Sequence, residues 1–220
     1  MSLRLYIDSA DINDWEAWLP SGMFYGVTTN PKLLERANLP CTLPQLEALA
    51  KHALTLGVTE IHMQTFGESA EAMIRNGEAI AQLGPKVLVK VPITREGAFA
   101  ASKLIAQGIP VTVTAVYATH QVATAMALGA HYAAPYLGRM DENGRDGHAA
   151  VIAMQRMITA LGDEMRLLVA SLRHISDIPA LMQHGVNTFT LAPSLLPRMF
   201  DDPATEAAAA EFERAARGER

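Results

Sequence analysis

A lysine lies near the end of an apolar, β-branched run in which every neighbouring position favours a buried strand. The run covers residues 87–94, Val-Leu-Val-Lys-Val-Pro-Ile-Thr, and the lysine is Lys90. Burial disfavours a charged ammonium and lowers the pKa of a lysine, so a buried lysine tends toward the neutral amine. A neutral amine is a nucleophile for carbonyl carbon. The alternative is that Lys90 marks a strand end and extends to solvent, as we expect of Lys86 at the start of the run.

Other polar residues close β-like runs elsewhere in the chain, where they could serve such an amine. Attack on a ketone or aldehyde gives a carbinolamine and then an iminium ion, and both steps need groups that move protons. Asp8 supplies a carboxylate, and the amide and hydroxyl groups of three residues can hold a catalytic water. The proposed catalytic residues are Lys90, Asp8, Gln64, Thr114 and Tyr136, and the candidate groups for substrate hydroxyls are Thr28, Asn30 and Ser171.

Two arginines follow the sixth and seventh predicted strands. Arg139 and Arg173 could bind a phosphate with the forked hydrogen bonds of a guanidinium group. Polyol phosphates are therefore the expected class of ligand. The alternative for each arginine is a solvated salt bridge.

Short apolar runs alternate with longer helical patterns along all 220 residues, which is typical of parallel βα units. Eight such strands favour a closed barrel, and we expect one domain over residues 1–220. The predicted strands are 4–9, 25–30, 60–66, 86–92, 110–117, 131–139, 166–173 and 188–192. The predicted helices include 43–56, 69–82, 95–107, 118–128, 148–161 and 175–184, with an extra C-terminal helix at about 203–217.

The alternation of side chains along a strand converts this pattern into a predicted site. Lys86, Leu88 and Lys90 share one face of the fourth strand, and the valines between them face the helices. The same alternation brings the polar residues above to the inner, C-terminal ends of their strands, where barrel enzymes place their chemistry. A purely structural barrel would fill that layer with Val, Ile and Leu.

Composition narrows the class of protein. Hydrophobic residues make up 50% and charged residues 19% of the chain, and the formal net charge is −5. The chain has no basic cluster, which argues against nucleic acid or an anionic membrane as a partner. Cys41 is the single cysteine, and residues 1–8 lead directly into a strand pattern without a signal peptide. We therefore expect a cytoplasmic protein, with no metal site among the scattered histidines.

No Asp, Glu, Lys or Arg occurs between Lys103 and Arg139. Glycines and prolines interrupt this stretch, so two buried strands around a charge-free helix are expected rather than a membrane span. A helix without a charged face usually contacts protein on both sides. We expect the helix at 118–128 to lie at a subunit interface.

Six motifs, in order, resemble those of the transaldolase family. They are Tyr6-Ile7-Asp8, Gly26-Val27-Thr28-Thr29-Asn30-Pro31, Val89-Lys90-Val91-Pro92-Ile93-Thr94, Thr114-Ala115-Val116-Tyr117, Ala134-Pro135-Tyr136-Leu137-Gly138-Arg139 and Ala170-Ser171-Leu172-Arg173. The resemblance covers nearly the whole chain. It implies a (β/α)8 TIM barrel, a Schiff base on Lys90 and a class I mechanism without metal or cofactor. It also implies rings of subunits, commonly pentamers paired into decamers, with the C-terminal helix reaching a neighbour. The helical pattern by itself leaves open whether that helix packs on its own barrel or on a neighbour.

Details within those motifs are most similar to the fructose-6-phosphate aldolase branch. The transferase branch carries glutamate and phenylalanine where this chain has Gln64 and Tyr136. Arg173 stands where the aldolase branch often has lysine, and Lys32 stands where the family usually has serine. The resemblance implies cleavage of fructose 6-phosphate to dihydroxyacetone and glyceraldehyde 3-phosphate. The alternatives are a transaldolase that transfers the same three-carbon unit and a non-catalytic barrel that binds sugar phosphates.

Overall fold

The computed structural model describes residues 2–218, and within them eight parallel strands form a closed barrel. The sheet order is β7-β6-β5-β4-β3-β2-β1-β8, with every neighbouring pair parallel. Backbone hydrogen bonds from Val169 N to Thr188 O and from Thr190 N to Val169 O, at 3.0 and 2.9 Å, close the barrel by joining the segment that follows β7 to β8. The strands are β1 (Arg4–Asp8), β2 (Gly26–Thr28), β3 (Glu60–Gln64), β4 (Val87–Pro92), β5 (Val111–Val116), β6 (Tyr132–Pro135), β7 (Arg166–Leu167) and β8 (Thr188–Leu191).

Within residues 2–218, ten α-helices connect or follow the strands. They are α1 (Ile12–Trp18), α2 (Pro31–Arg36), α3 (Leu43–Thr55), α4 (Ala70–Ala81), α5 (Arg95–Ala106), α6 (Thr119–Leu128), α7 (Leu137–Glu142), α8 (Gly147–Leu161), α9 (Asp177–Met182) and α10 (Pro203–Ala216). Short 3-10 turns lie at Leu19–Ser21, Pro193–Leu195 and Pro197–Met199. The predicted (β/α)8 TIM barrel with an extra C-terminal helix is confirmed.

Side chains at the helix starts hold many of these helices in place. Ser69, Thr94 and Asp146 accept hydrogen bonds from backbone N–H groups in the first turns of α4, α5 and α8. Asn30 does the same for α2, where its side chain accepts from Lys32 N and Leu33 N. Helices α1, α2 and α7 are short, and the hydrophobic pattern did not predict them.

The predicted alternation of side chains on β4 is confirmed. Val87, Val89 and Val91 are buried in the main core between the sheet and the helices. Leu88 faces the other way, into a small apolar cluster inside the barrel with Tyr6, Tyr132, Ala134 and Leu168. Burying a valine side chain contributes about 1.5–3 kcal/mol, so these positions fix which face of β4 points inward.

Two predicted strand boundaries were wrong in ways that affect the site. The sixth strand ends at Pro135 instead of Arg139, and the chain turns at Tyr136 into α7. The seventh strand is regular only at residues 166–167, and single bridges then pair Val169 with Phe189 and Ala170 with Tyr136. Ser171 ends this segment with a φ of 61°, a left-handed conformation that cannot continue a strand. Arg139 therefore lies on a helix.

The C-terminal helix α10 makes little contact with its own barrel. None of residues Pro203–Ala216 is buried, and 71% of the Phe212 side chain is exposed. Helix α6 buries Val122 and Ala125 and leaves the small residues Ala123, Thr124 and Ala127 exposed. Among the described residues, no helix combines the length and apolar character needed to cross a lipid bilayer.

Candidate active site

Lys90 projects inward near the C-terminal end of β4 and is only 3% exposed. Its register partners are Gln64 on β3 and Thr112 on β5, so polar side chains flank it on both sides. Within residues 2–218, no carboxylate lies within ion-pair distance of its ammonium nitrogen. Lys86 is exposed at the opposite end of the strand, where its Nζ donates to Val58 O at 2.8 Å. Lys90 within β4 and Lys86 just before it therefore occupy opposite environments.

A cavity opens at the C-terminal end of the barrel, and most of the predicted site residues line it. They are Asp8, Asn30, Lys90, Tyr136, Arg139, Ser171 and Arg173. A neighbouring cavity shares Asn30, Tyr136 and Arg139 and adds Gln64 and Thr114. Nine of the ten predicted residues thus meet at one end of the barrel, as the register of parallel strands requires.

Thr28, the tenth predicted residue, lies below the cavity instead of lining it. It is fully buried, and its hydroxyl donates to Asp8 Oδ1 at 2.6 Å. Thr190 Oγ1 lies 2.6 Å from the same hydroxyl. This pair of threonines fixes the Asp8 carboxylate at the end of β1, so Thr28 supports Asp8 from beneath.

Tyr136, Thr114 and Gln64 form the second polar group around Lys90. The Tyr136 hydroxyl lies 3.1 Å from Thr114 Oγ1, and the Tyr136 ring packs edge-on against Tyr117 with centroids 5.6 Å apart. Gln64 ends β3 and stays partly exposed to the cavity. Two hydroxyls and an amide so arranged can hold a water molecule beside the lysine.

Ser171 combines an unusual backbone with a free hydroxyl. Its φ of 61° is a left-handed conformation that costs a non-glycine residue about 1–3 kcal/mol. Its Oγ is buried and, within residues 2–218, has no hydrogen-bond partner. Gly138 on α7 packs against this turn, where a Cβ would lie 2.3 Å from Ser171 O. The close approach of α7 therefore requires glycine at position 138.

The two predicted arginines differ in how much of their hydrogen-bonding capacity remains. Arg139 lies 5.1 Å above the Tyr136 ring and donates from Nη1 to the Tyr117 hydroxyl at 3.4 Å. That hydrogen bond raises the pKa of Arg139. Arg173 donates from Nε to Glu142 Oε1 at 2.7 Å and from Nη1 to Ser171 O and Leu172 O. Most N–H donors of the Arg173 guanidinium thus already have partners, whereas most of those of Arg139 have none among the described residues.

Two further cations at the cavity mouth were not predicted. Lys32 and Arg36 lie one turn apart on α2 and line the cavity opposite α7. Lys32 pairs with Glu35 at 2.5 Å, while Arg36 has no ion-pair partner among the described residues. Lys32 and Arg36 are spaced i and i+4, which places them on one face of a helix. The sequence pattern did not predict this short helix after Asn30, so it did not reveal their shared face.

Asp177 is a further residue that the sequence did not reveal. It is buried, and its Oδ2 accepts from the backbone N–H groups of Arg173 and His174 at 3.3 and 3.0 Å. His148 Nε2 lies 3.3 Å from its other oxygen. Asp177 therefore holds the turn that carries Ser171 and Arg173. Only the tertiary contact between α8 and this loop identifies it.

Comparison with known proteins agrees with this geometry. A family model described as transaldolase/fructose-6-phosphate aldolase matches residues 5–219. The chain belongs to this family.

Curated members of the transaldolase/fructose-6-phosphate aldolase family align with nearly the whole chain. A probable transaldolase 2 of Listeria monocytogenes is 28% identical over 204 residues, which cover 93% of this chain and 91% of the relative. A probable transaldolase of Aquifex aeolicus is 29% identical over 93% of this chain and 92% of its own length. A probable transaldolase of Geobacillus is 27% identical over 96% of both chains. An enzyme of the aldolase or transferase type, with transaldolase-like activity on sugar phosphates, fits this membership.

Proposed function

We propose that the protein is a class I aldolase that reversibly cleaves fructose 6-phosphate into dihydroxyacetone and glyceraldehyde 3-phosphate. The observation that carries the proposal is the buried Lys90, which lies without an ion-pair partner among the described residues in a ring of polar side chains. An amine in that setting is suited to attack the C2 carbonyl of a ketose. Loss of water from the carbinolamine then gives the iminium ion that withdraws electrons from the neighbouring C–C bond.

Asp8 is the proposed base for the cleavage step. Its carboxylate lines the same cavity as Lys90 and is held by the Thr28 hydroxyl at 2.6 Å. Removal of the proton from the C4 hydroxyl allows the C3–C4 bond to break, and its electron pair moves into the iminium to form an enamine. The aldehyde product leaves with the phosphate, while the three-carbon donor stays on Lys90.

Tyr136 and Gln64 are the proposed determinants of what happens to the enamine. A water held between the Tyr136 hydroxyl and the Gln64 amide can protonate the enamine carbon, and hydrolysis of the iminium then releases dihydroxyacetone. The Thr114 hydroxyl, 3.1 Å from that of Tyr136, orients the phenol. Release of the donor, rather than transfer to a second sugar, makes the enzyme a lyase.

The cationic mouth of the cavity is the proposed phosphate site. Arg139 has most of its donors free, and Arg36 faces the same cavity without an acidic partner among the described residues. Arg173 can contribute if its Nε leaves Glu142, and the Ser171 hydroxyl lies free beside it. Asn30 Oδ1 is occupied as a helix cap, so its amide N–H group is the part that can donate to a substrate hydroxyl.

The second candidate function is transaldolase activity, because the curated relatives cited above are named probable transaldolases. The same lysine, carboxylate and phosphate site would serve that reaction. The difference is the fate of the enamine, which would attack an aldose phosphate before water could protonate it.

Incubation with fructose 6-phosphate alone separates these functions. The aldolase proposal predicts free dihydroxyacetone and glyceraldehyde 3-phosphate in equal amounts, growing with each turnover. A parallel reaction with an added aldose phosphate measures transfer on the same enzyme preparation. A transferase would release only one equivalent of glyceraldehyde 3-phosphate per site without an acceptor, and turnover would begin when the acceptor is added. That result would contradict the lyase.

We also propose that the chain forms a homo-oligomer in which α10 packs on a neighbouring subunit. The support is that none of residues 203–216 is buried, although Phe212 presents an aromatic ring on this helix. An isolated helix of this length gains little stability without tertiary contacts. The uncharged, small-residue face of α6 is a second surface that suits such packing.

A further inference from the structure

A buried polar network fills the interior of the barrel below the candidate active site. Its centre is His62 on β3, which is fully buried. In the sheet register, His62 pairs with Leu88 and Gln64 pairs with Lys90. His62 therefore lies one inward layer below Gln64 and next to the strand that carries Lys90.

A hydrogen bond from His62 crosses that strand on its inner face. His62 Nδ1 lies 2.8 Å from Thr112 Oγ1, and both residues are fully buried. Thr112 belongs to β5 and is the register partner of Lys90. Because β4 lies between β3 and β5, the bond spans β4 between the levels of Leu88 and Lys90. The His62–Thr112 pair, which we call the polar floor, lies beneath the lysine.

Glu60 determines which imidazole nitrogen carries the proton. Its Oε2 accepts from the hydroxyls of Tyr6 and Tyr132 at 2.7 Å each and lies 3.3 Å from His62 Nε2. Burial by itself would raise the pKa of Glu60, but these hydrogen bonds lower it to about 2. An ionised carboxylate only accepts, so His62 Nε2 donates to it. Nδ1 of the neutral ring then accepts from the Thr112 hydroxyl.

The surroundings of His62 favour that neutral ring. Burial lowers the pKa of His62, the Glu60 carboxylate opposes this, and the positive charges of Lys90 and Arg4 lower the pKa further. The rings of Tyr6 and Tyr132 pack edge-on against it at 5.0 and 4.9 Å. Protonation at Nδ1 would break the hydrogen bond from Thr112 and place a positive charge beneath the lysine.

We propose that His62 is a positioning residue for Lys90, acting through the Thr112 hydroxyl. Because that hydroxyl donates to His62, it can only accept further hydrogen bonds, so its lone pairs remain for a donor in the layer of Lys90. The neutral ring adds no positive charge beneath Lys90, and the Thr112 hydroxyl offers an acceptor at the register level of the lysine. This inference rests on the proposed Schiff-base function of Lys90. His62 and Thr112 line neither of the two cavities described above.

The test compares four variants in the full-length enzyme: His62→Phe, His62→Gln, Thr112→Val and Tyr6→Phe. The rate of borohydride trapping of dihydroxyacetone on Lys90 is measured per folded molecule, with thermal melting as the measure of folding. We expect His62→Phe and Thr112→Val each to slow trapping by about tenfold or more, and the double variant to be no slower than either. Tyr6→Phe is the matched control, because it removes one donor to Glu60 and leaves the floor intact. It should lower the melting temperature without slowing trapping.

His62→Gln separates positioning from charge. A glutamine amide can accept from Thr112 and donate to Glu60, so trapping should recover most of the rate lost in His62→Phe. Glutamine does not ionise, so the acid limb of the kcat/KM profile should move to lower pH than in the wild type. If all four variants trap dihydroxyacetone at the wild-type rate and keep the wild-type acid limb, the inference about His62 is wrong, while the proposed function of Lys90 still stands. Absence of trapping in the wild-type enzyme would overturn the proposed function as well.

Discussion

The hydroxyl of Tyr136 lies 3.1 Å from the hydroxyl of Thr114, at the point where β6 gives way to α7. The backbone of Tyr136 turns there, with φ of −99° and ψ of 80°, so the phenol is held by the end of a strand and the start of a helix. Thr114 lies on β5 within the irregularity, between Val113 and Val116, that shifts the register between β5 and β6. This contact fixes a hydroxyl beside the candidate lysine.

Tyr136→Phe should separate donor release from donor transfer. The change removes the hydroxyl without altering the bulk of the ring, so release of free dihydroxyacetone should fall by about 10²–10⁴, the usual contribution of one acid-base group. Transfer to an added aldose phosphate should fall less. The measurement is the ratio of the two rates on one preparation.

Tyr117→Phe is the matched control for this ratio, because Tyr117 packs against Tyr136 and its hydroxyl binds Arg139. It should change the KM for phosphorylated substrates while leaving the ratio of release to transfer unaltered. If Tyr136→Phe lowers both rates equally, the phenol serves a step common to them, such as dehydration of the carbinolamine.

Borohydride reduction with dihydroxyacetone should label Lys90 and leave Lys86 unlabelled. Lys90 is 3% exposed and faces the cavity, whereas Lys86 is exposed at the other end of β4. Lys90→Met should lose essentially all turnover and labelling while remaining folded, because the methionine fills most of the same volume. Lys86→Met should retain both. Peptide mass mapping gives the site, and a label on Lys86 would contradict the assignment.

Arg139→Ala should weaken binding of phosphorylated substrates selectively. Loss of a charge-assisted hydrogen bond costs about 1.5–3 kcal/mol, so the KM for glyceraldehyde 3-phosphate should rise about tenfold or more relative to that for glyceraldehyde. Arg36→Ala should act in the same direction, since its guanidinium lines the same cavity.

Glu142→Gln tests the role of Arg173 in this site. It removes the partner that holds Arg173 Nε at 2.7 Å, so it should improve phosphate binding if Arg173 contributes. Arg75→Ala, on the exposed face of α4, is the control and should leave the KM ratio unaltered. Equal losses on phosphorylated and unphosphorylated aldehydes in the Arg139 variant would exclude it as a phosphate ligand.

The stability contributed by Glu60 should depend on pH in the acid range. Hydrogen bonds lower its pKa from 4.5 to about 2, so its native ionised form contributes stability that is fully present above pH 4.5. That contribution is lost as the pH falls toward 2, and it is on the order of 3 kcal/mol when complete. Urea unfolding of wild type and Glu60→Gln from pH 7 to 3 measures it. The difference in free energy of unfolding between wild type and Glu60→Gln should shrink as the pH falls. A difference that stays constant with pH would contradict this role.

Phe212→Glu should lower the number of subunits in the assembly without unfolding the barrel. Phe212 is 71% exposed on α10 and contributes nothing to the core of its own chain, so the charge should affect only contacts with another subunit. Light scattering after size exclusion measures the mass, and circular dichroism checks the fold. Phe99→Ser, at a 58% exposed phenylalanine on α5, is the control. An unchanged mass in the Phe212 variant would contradict the proposed role of α10.

Most of the barrel and the position of Lys90 could be predicted from local patterns. The two-residue alternation on β4 assigns Lys90 to the inner face because its valine neighbours gain more from the apolar outer layer. Side-chain caps such as Ser69 and Thr94 act within a few residues, so they too are visible in the sequence. The parallel register then brings strand ends to one face regardless of their distance along the chain.

Only the tertiary structure decided which polar groups are free and which are already used. Thr28 bonds to Asp8 and Thr190, Arg173 is held by Glu142, and the Ser171 hydroxyl has no partner among the described residues. These outcomes depend on distances between elements that are remote in sequence, and no local pattern records them. The sequence by itself determined the order of the strands and longer helices and the inner face of each strand, because propensity and alternation are local. Packing between strands and helices determined the hydrogen bonds of the site, because each polar group takes whichever partner the assembled barrel brings within reach.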